Sequence, residues 1–408
     1  MGNTQVIVGG GAAGYFCANS IAEFNPNIRI KLLETGSQTL RKVKISGGGR
    51  CNVTHHCFDP KILSGNYPRG QKELIGSFYR WQPRDMISWL EKKGVSLKTE
   101  EDGRIFPTSN KSQSIIDCLE QFLKSDNVQI RKNCMVRSFK KINSGKTWEV
   151  KLENEETLLA DRICIATGSI KGSKLIDSLE ALGHQITLPV PSLFAFNSLS
   201  HELSELSGIS VQKVKIQIIG SNFCQEGPIL ITHKGISGPG VIKLSSWAAR
   251  ELYQRDYRFN VRINWLGMNG LQTAKETIAV CKKSSASSQI RICPFANLPK
   301  RLWIKLIHHL NISSELTWAH LRKSDEENIV KSLTEYVLEI NGKSTNKEEF
   351  VTCGGINLKE INFKTMESKK ESNLFFAGEC LDIDGVTGGF NFQAAWTTAR
   401  IAATQMAN

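Results

Sequence analysis

The densest chemical signal in the chain is a run of glycines. Val6-Ile-Val-Gly9-Gly10-Gly11-Ala12-Ala13-Gly14 carries the spacing G-x-G-x-x-G between a strand-like run, Gln5 to Val8, and a helix-like run, Ala12 to Phe24. Glu34 closes a second strand-like run, Ile28 to Glu34, twenty residues after Gly14. In that context the pattern reads as a dinucleotide fingerprint. Gly9 permits a tight turn, Gly11 lets a pyrophosphate reach the backbone, and Gly14 lets helix pack closely on sheet. Ala12 and Ala13 open the helix, whose unpaired N–H groups and partial positive charge suit phosphates. Glu34 is expected to accept from the adenosine ribose hydroxyls.

A second stretch selects FAD among the dinucleotides. Leu374-Phe-Phe-Ala377 runs into Gly378-Glu379, which would set the acid on the flavin ribityl chain. Gly388-Gly389-Phe390-Asn391 opens the last helix, whose N-terminus is expected to face the pyrimidine end of the isoalloxazine. Between the two stretches, residues 40–53 carry Arg41, Lys42, Lys44 and Arg50 with no acid, and Gly47, Gly48 and Gly49 strip the wall of side chains. Ser46 to Asn52 is read as a loop wrapping the flavin. The strand-like run Arg162 to Ala166 ends in a Thr167-Gly168 turn, which joins the expected cofactor-binding set.

The motif Ser46-Gly-Gly-Gly-Arg-Cys-Asn52, with Gly103-Arg-Ile-Phe-Pro107 and Thr232-His-Lys-Gly-Ile-Ser-Gly-Pro239, resembles the bacterial FAD-binding flavoproteins of the aminoacetone-oxidase-like type. Val351-Thr-Cys-Gly-Gly355, Phe376-Ala-Gly-Glu379 and Leu381-Asp-Ile-Asp-Gly-Val-Thr-Gly-Gly-Phe-Asn391 extend the resemblance to the end of the chain. It implies an NAD(P)/FAD-dependent oxidoreductase of α/β class. A Rossmann-like FAD domain formed by both chain ends, residues 1–188 and 351–408, would be interrupted by a β-barrel-like domain at 189–350 with a helical subdomain at about 268–335. It implies non-covalent FAD near Ala13, Glu34, Arg41, Lys42, Arg50, Cys51, Asn52, Glu379, Asp384 and Asn391, with a backbone contact near Val136. One departure stands out: where the family continues after Ala-Thr-Gly with a longer Ser/Pro/Gly-rich loop, this chain has Ser169-Ile-Lys-Gly-Ser173 and then a helix.

Other residues could do chemistry. His233 follows the strand-like run Ile229 to Thr232, and its ordinary pKa near 6.5 suits proton exchange with a substrate. Cys51 could pair with Cys57 as a redox thiol. Cys51, His55, His56 and Cys57 fit no paired-ligand spacing, so no metal is expected. His308 and His309 read as part of a helix. No G-x-S-x-G elbow, P-loop or HExxH occurs.

The elements that must position these residues follow from periodicity. The N-terminal part alternates strand and helix, which implies a parallel sheet. From about Pro189 the grammar changes: Val214, Ile216, Ile218 and then Tyr257, Phe259, Val261, Ile263 alternate with polar residues, as half-buried antiparallel strands do. Residues 270–335 read mostly as helix, and α/β grammar returns at the end.

Composition narrows the class. In 408 residues, 40% hydrophobic and 22% charged is a globular balance, with no apolar run of membrane-spanning length. Eleven scattered cysteines indicate a reducing compartment rather than a disulfide framework. No secretory signal precedes Gln5, and Val6 stands where a myristoylation motif needs Ser or Thr. The expectation is a cytoplasmic flavoprotein that moves a hydride between flavin N5 and a small organic substrate, with NAD(P)H or oxygen as the other partner. With no second G-x-G-x-x-G, NAD(P)H would dock transiently. The net charge of +13 keeps open a flavoprotein acting on RNA; a flavin-dependent sensor without turnover is the third reading.

Overall fold

Gln5 to Val8 is apolar enough to be buried on both faces, and in the computed structural model, which describes residues 3–121, 123–143, 145–200, 202–344 and 351–408, it is the middle of a sheet. The strand Thr4–Val8 pairs in parallel with Arg29–Leu33 on one side and Arg162–Ile165 on the other. Val128–Arg131 and Leu374–Phe376 extend the parallel order outward, and two short antiparallel strands finish one edge. The chain leaves Thr4–Val8 for neighbours on opposite sides. The carboxyl end of this strand, where Gly9 begins, is therefore a topological switch point, the place where such sheets bind ligands.

The helix Ala12–Phe24 is buried along its whole first half, from Ala13 to Ile21. It is apolar all round because it lies between the sheet and the last helix, Phe390–Met406. Small residues on both helices make that approach close: Gly378, just before the last helix's loop, sits so near that a Cβ on it would be 2.9 Å from the Ala13 Cβ. The last strand-turn-helix of the chain thus packs on the first.

The chain divides into two units, Met1–Pro191 with Lys347–Asn408, and Ser192–Asn346. The expected boundary at 188/189 falls within the strand Ile186–Ser192, and the one at 350/351 adjoins residues 345–350, which lie outside the described residues. Pro189 and Pro191 stand inside that strand, which forms a two-stranded sheet with Val351–Ile356. In such a sheet every strand is an edge, where proline's missing N–H is tolerated.

In the second unit, antiparallel strands at Ser210–Ile218, Cys224–Thr232 and Arg258–Asn264 bury Val214, Ile216, Ile229, Ile231, Val261 and Ile263. The sheet closes on itself at Gly342. Tyr336–Asn341 pairs with one edge, Lys343–Ser344 with the other, and Gly342 turns between them at φ +105°. Three helices, Gly270–Ser284, Lys300–His309 and Lys323–Thr334, bury their apolar residues, with Trp303 and Trp318, in one core continuous with that of the strands. No helix among the described residues is long and apolar enough to cross a membrane.

Candidate functional site

The three fingerprint glycines have different neighbours. A Cβ on Gly9 would lie 2.3 Å from the Ala166 carbonyl oxygen and 2.7 Å from Thr167 Cα, so Gly9 lets two strand ends meet. A Cβ on Gly14 would lie 1.9 Å from the Gly9 carbonyl oxygen, which fixes the helix against the turn. A Cβ on Gly11 would meet nothing within 4 Å. Gly11 caps the first helix without a side chain, no acid stands in the first turn, and the helical ladder starts only with Tyr15 N–H donating to Gly11 O at 3.0 Å. The amides of Ala12, Ala13 and Gly14 therefore have no helical partner at the positive end of a helix, beside the open space at Gly11. That fits a pyrophosphate.

Glu34 anchors the neighbouring turn. Its Oε2 accepts from Gly10 N–H at 2.8 Å and its Oε1 from Gly36 N–H at 2.7 Å. A carboxylate has about four acceptor sites, so this half-buried group keeps capacity for ribose hydroxyls. The Glu34 and Gly36 carbonyls accept from Cys134 and Asn133. This brings the strand Val136–Ile142, whose first residue Val136 is buried, to the same edge.

The stretch read as a loop begins as helix. Arg41 opens it, and the turn breaks at Ser46 (ψ 150°) into Gly47, Gly48 and Gly49, all at positive φ of 57–81°. Three successive left-handed residues explain the glycine triplet, since any Cβ there is strained. Gly47 is packed on Phe106, whereas a Cβ on Gly48 or Gly49 would meet nothing within 4 Å, so these two form bare wall. Arg50 lies over the Phe106 ring, 4.0 Å from its centroid, and pairs with Glu100 at 2.6 Å. Arg41 is exposed. Lys42 reaches Glu379 at 2.6 Å.

That ion pair joins the two chain ends. Glu379 Oε1 also accepts from Thr352 N–H at 3.0 Å, and Gly168 lies beside its other oxygen at positive φ. Gly11, Gly168, Lys42 and Glu379 are thus in one unit, on the elements that meet at the switch point.

Three residues of the expected cofactor-binding set also bond to the protein. The Asp384 carboxylate is fully buried and bidentately paired with Arg69, itself 10% exposed. The Asn391 amide exchanges two bonds of 2.9 Å with Gly385. Gly389 is the third. The buried Asn52 amide donates to the carbonyls of Thr54 at 3.0 Å and Ile105 at 3.3 Å, and its Oδ1 accepts from Gly389 N–H at 3.0 Å. The Gly389 donor is therefore spent on the protein, and only the amides from Phe390 onward are left for a flavin edge. Gly388 lies against Phe390, whose ring stacks on His55 at 4.7 Å.

Cys51 is fully buried, and burial pushes its thiol up to about 12, far from a thiolate at neutral pH. Its part is structural, a left-handed residue at φ 61° that ends the glycine turn. His233 is exposed in the hairpin turn between Cys224–Thr232 and Gly235–Ser237, in the second unit. Among the described residues no group of three His, Cys, Asp or Glu could hold a metal.

Sequence reading missed a buried trio that looks catalytic. His184 Nδ1 contacts Glu360 at 3.0 Å and its Nε2 contacts Ser368 Oγ at 2.9 Å. Ser368 Oγ already accepts from the amides of Lys370 at 3.0 Å and Glu371 at 2.9 Å. Both lone pairs are used, so the hydroxyl donates to His184 and is no nucleophile. Burial, opposed by Glu360, holds His184 below its ordinary pKa, and Glu360, despite its own burial, is held below its by the Gln185 amide, His184 and Lys370. Arg69 was missed too; only contact in three dimensions pairs it with Asp384.

A family model described as the HI0933-like protein Rossmann domain matches residues 3–405. The chain is 29% identical over 404 residues to a "Ribosomal RNA dihydrouridine synthase" of Escherichia coli (strain K12), covering 97% of this chain and 95% of that one. It is 26% identical to a "3-dehydro-bile acid delta(4,6)-reductase" of Clostridium scindens, covering 97% of each. Among solved structures, a 3-ketosteroid delta1-dehydrogenase from Sterolibacterium denitrificans shares the fold, with a TM-score of 0.51 at 10% identity over 99% of both chains.

Proposed function

The chain belongs to the HI0933-like Rossmann-domain family and is an FAD-dependent oxidoreductase, and on that premise we propose that it reduces a carbon–carbon double bond conjugated to a carbonyl, with NAD(P)H as electron source and a uracil ring of ribosomal RNA as substrate. The observation that carries the reading is that relatives with unlike substrates bear names for one chemistry. A dihydrouridine synthase and a delta(4,6)-reductase of a 3-dehydro acid each, by name, saturate a double bond that a carbonyl activates. The net charge of +13 favours the RNA arm over a small acid.

FAD, when bound, supplies the hydride for one carbon of the double bond; a proton completes the other. The chain's residues hold and orient it. The Ala12 to Gly14 amides take the pyrophosphate, Glu34 the adenosine ribose, and Glu379, steadied by Lys42 and Thr352, the ribityl hydroxyls. Gly48 and Gly49 leave bare backbone for a flat ring.

The test is turnover by the FAD-loaded protein under nitrogen. NADH or NADPH should bleach the flavin, and an unmodified ribosomal RNA transcript should then re-oxidise it and gain two hydrogens per modified uridine by mass spectrometry. Re-oxidation by a 3-oxo-4,6-diene steroid acid but not by RNA would overturn the RNA arm. Re-oxidation by neither would overturn the double-bond reading.

A further inference from the structure

The second unit contains a long stretch without a single acid. From residue 277 to 314 the chain has Lys282, Lys283, Arg291, Lys300, Arg301 and Lys305, and no Asp or Glu. Its centre is the helix Lys300–His309. Leu302, Trp303, Leu306 and Ile307 are buried on one side, while Lys300, Arg301, Ile304 and His308 are exposed on the other, with Lys305 half-buried beside them. The spacing i, i+1, i+4, i+5, i+8 makes this one continuous face.

Helix stability does not account for these cations. Two of them, Lys300 and Arg301, occupy the first turn, the positive end of the macrodipole, and no acid accompanies them there. Among the described residues a single acid pairs with the face: Glu205, 72% exposed at its side chain, pairs with Lys305 at 3.0 Å, and its carbonyl accepts from Arg301 at 2.7 Å. Such an exposed pair is worth little in water.

We infer that this face of the Lys300–His309 helix is a docking surface for the phosphate backbone of a structured RNA. The inference rests on the reading of RNA as substrate. The large aromatics of this subdomain, Phe295, Trp303 and Trp318, are all buried, so the face offers cations without stacking rings. It therefore grips phosphates and is indifferent to base identity; stacking on splayed bases would need exposed rings. The exposed Ile304 and Ile292 would equally suit an anionic membrane, which the test separates.

The experiment measures binding of the FAD-loaded protein to a labelled ribosomal RNA fragment across a salt series. Each phosphate contact contributes about 0.7–0.9 to the slope of log K against log salt. Lys300→Gln with Lys305→Gln should flatten the slope by about 1.4–1.8 and weaken binding at 0.1 M salt by about 25- to 60-fold. Glu205→Gln should act oppositely and tighten binding by about five- to eightfold. Bleaching of the flavin by NAD(P)H should be unchanged in both. If wild type binds and reduces RNA but both variants bind as wild type does, the surface is wrong and the RNA reading stands. If wild type neither binds nor reduces RNA, the reading has failed and takes the surface with it. Capture by phosphatidylserine vesicles without RNA binding, lost in the double variant, assigns the face to membranes and overturns the inference.

Discussion

Two helices of the first unit begin on glycine, and they differ in what meets their first amides. At Gly11 nothing lies within 4 Å of the missing side chain, and the three amides that follow have no helical partner. At Gly389 the missing side chain would strike the Thr54 carbonyl oxygen at 2.6 Å, and the Gly389 N–H is already held by Asn52. Both starts look alike in composition, and both have the dipole. Both leave three amides beyond the cap without a helical partner, Ala12 to Gly14 and Phe390 to Phe392; they differ at the cap, where the Gly389 N–H is bonded to Asn52 and its missing side chain is enclosed. Such first-turn amides suit an anion, and a cap bonded to the protein fixes where the helix starts.

The largest break in this contrast should come from Gly14→Val. Its Cβ would sit 1.9 Å from the Gly9 carbonyl oxygen, where no side chain can yield. Loss of soluble protein, or destabilisation beyond about 4 kcal/mol, is expected; a soluble variant melting with wild type would show that the turn can open. Gly11→Val is its counterpart. Without FAD it should melt within about 0.5 kcal/mol of wild type, because its Cβ would meet no protein atom within 4 Å. With FAD it should bind none, and stoichiometric flavin after reconstitution would move the pyrophosphate elsewhere.

Next comes the start of the last helix. Asp384→Asn removes the charge of the buried carboxylate bidentately paired with Arg69, at a cost of about 3–5 kcal/mol in urea unfolding. An unchanged midpoint would mean that the pair is not what holds the turn. Asn52→Ala removes the acceptor of Gly389 N–H and the donor to two carbonyls, costing about 1–3 kcal/mol. FAD should be retained, since the freed amide adds a donor at the flavin edge.

The smallest effect concerns the His184 trio, a third set of residues that looks chemical and is spent. Burial keeps His184 below its ordinary value near 6.5, so the folded protein stays unprotonated where the unfolded chain takes up a proton. Stability is whole above about pH 6.5 and declines as the pH falls toward the folded-state value. His184→Gln should remove that slope; if the slope persists, another group titrates.

Much of the site was legible locally. The fingerprint works through residues adjacent in the chain, so Gly9 to Gly14 and Glu34 carry their geometry in their spacing. The five parallel strands and both long helices of the first unit follow from period and from runs of apolar residues. The antiparallel strands of the second unit were legible as alternation, because period two in Val214 to Ile218 and Phe259 to Ile263 needs only one buried face; their barrel-like closure was implied by the family resemblance alone.

What the chain alone could not decide is which polar groups would find each other. Asn52 and Gly389 are 337 residues apart, as are Lys42 and Glu379; Arg69 and Asp384 are separated by 315, and His184 and Glu360 by 176. Residue type offers each of these groups to a ligand and to the protein on equal terms. Hydrogen-bonding capacity is short-ranged and saturates, so the choice falls to whichever partner the fold brings within about 3 Å. Folding gives Asn391, Asp384 and Gly389 protein partners, and leaves the amides of Ala12 to Gly14 without a helical one.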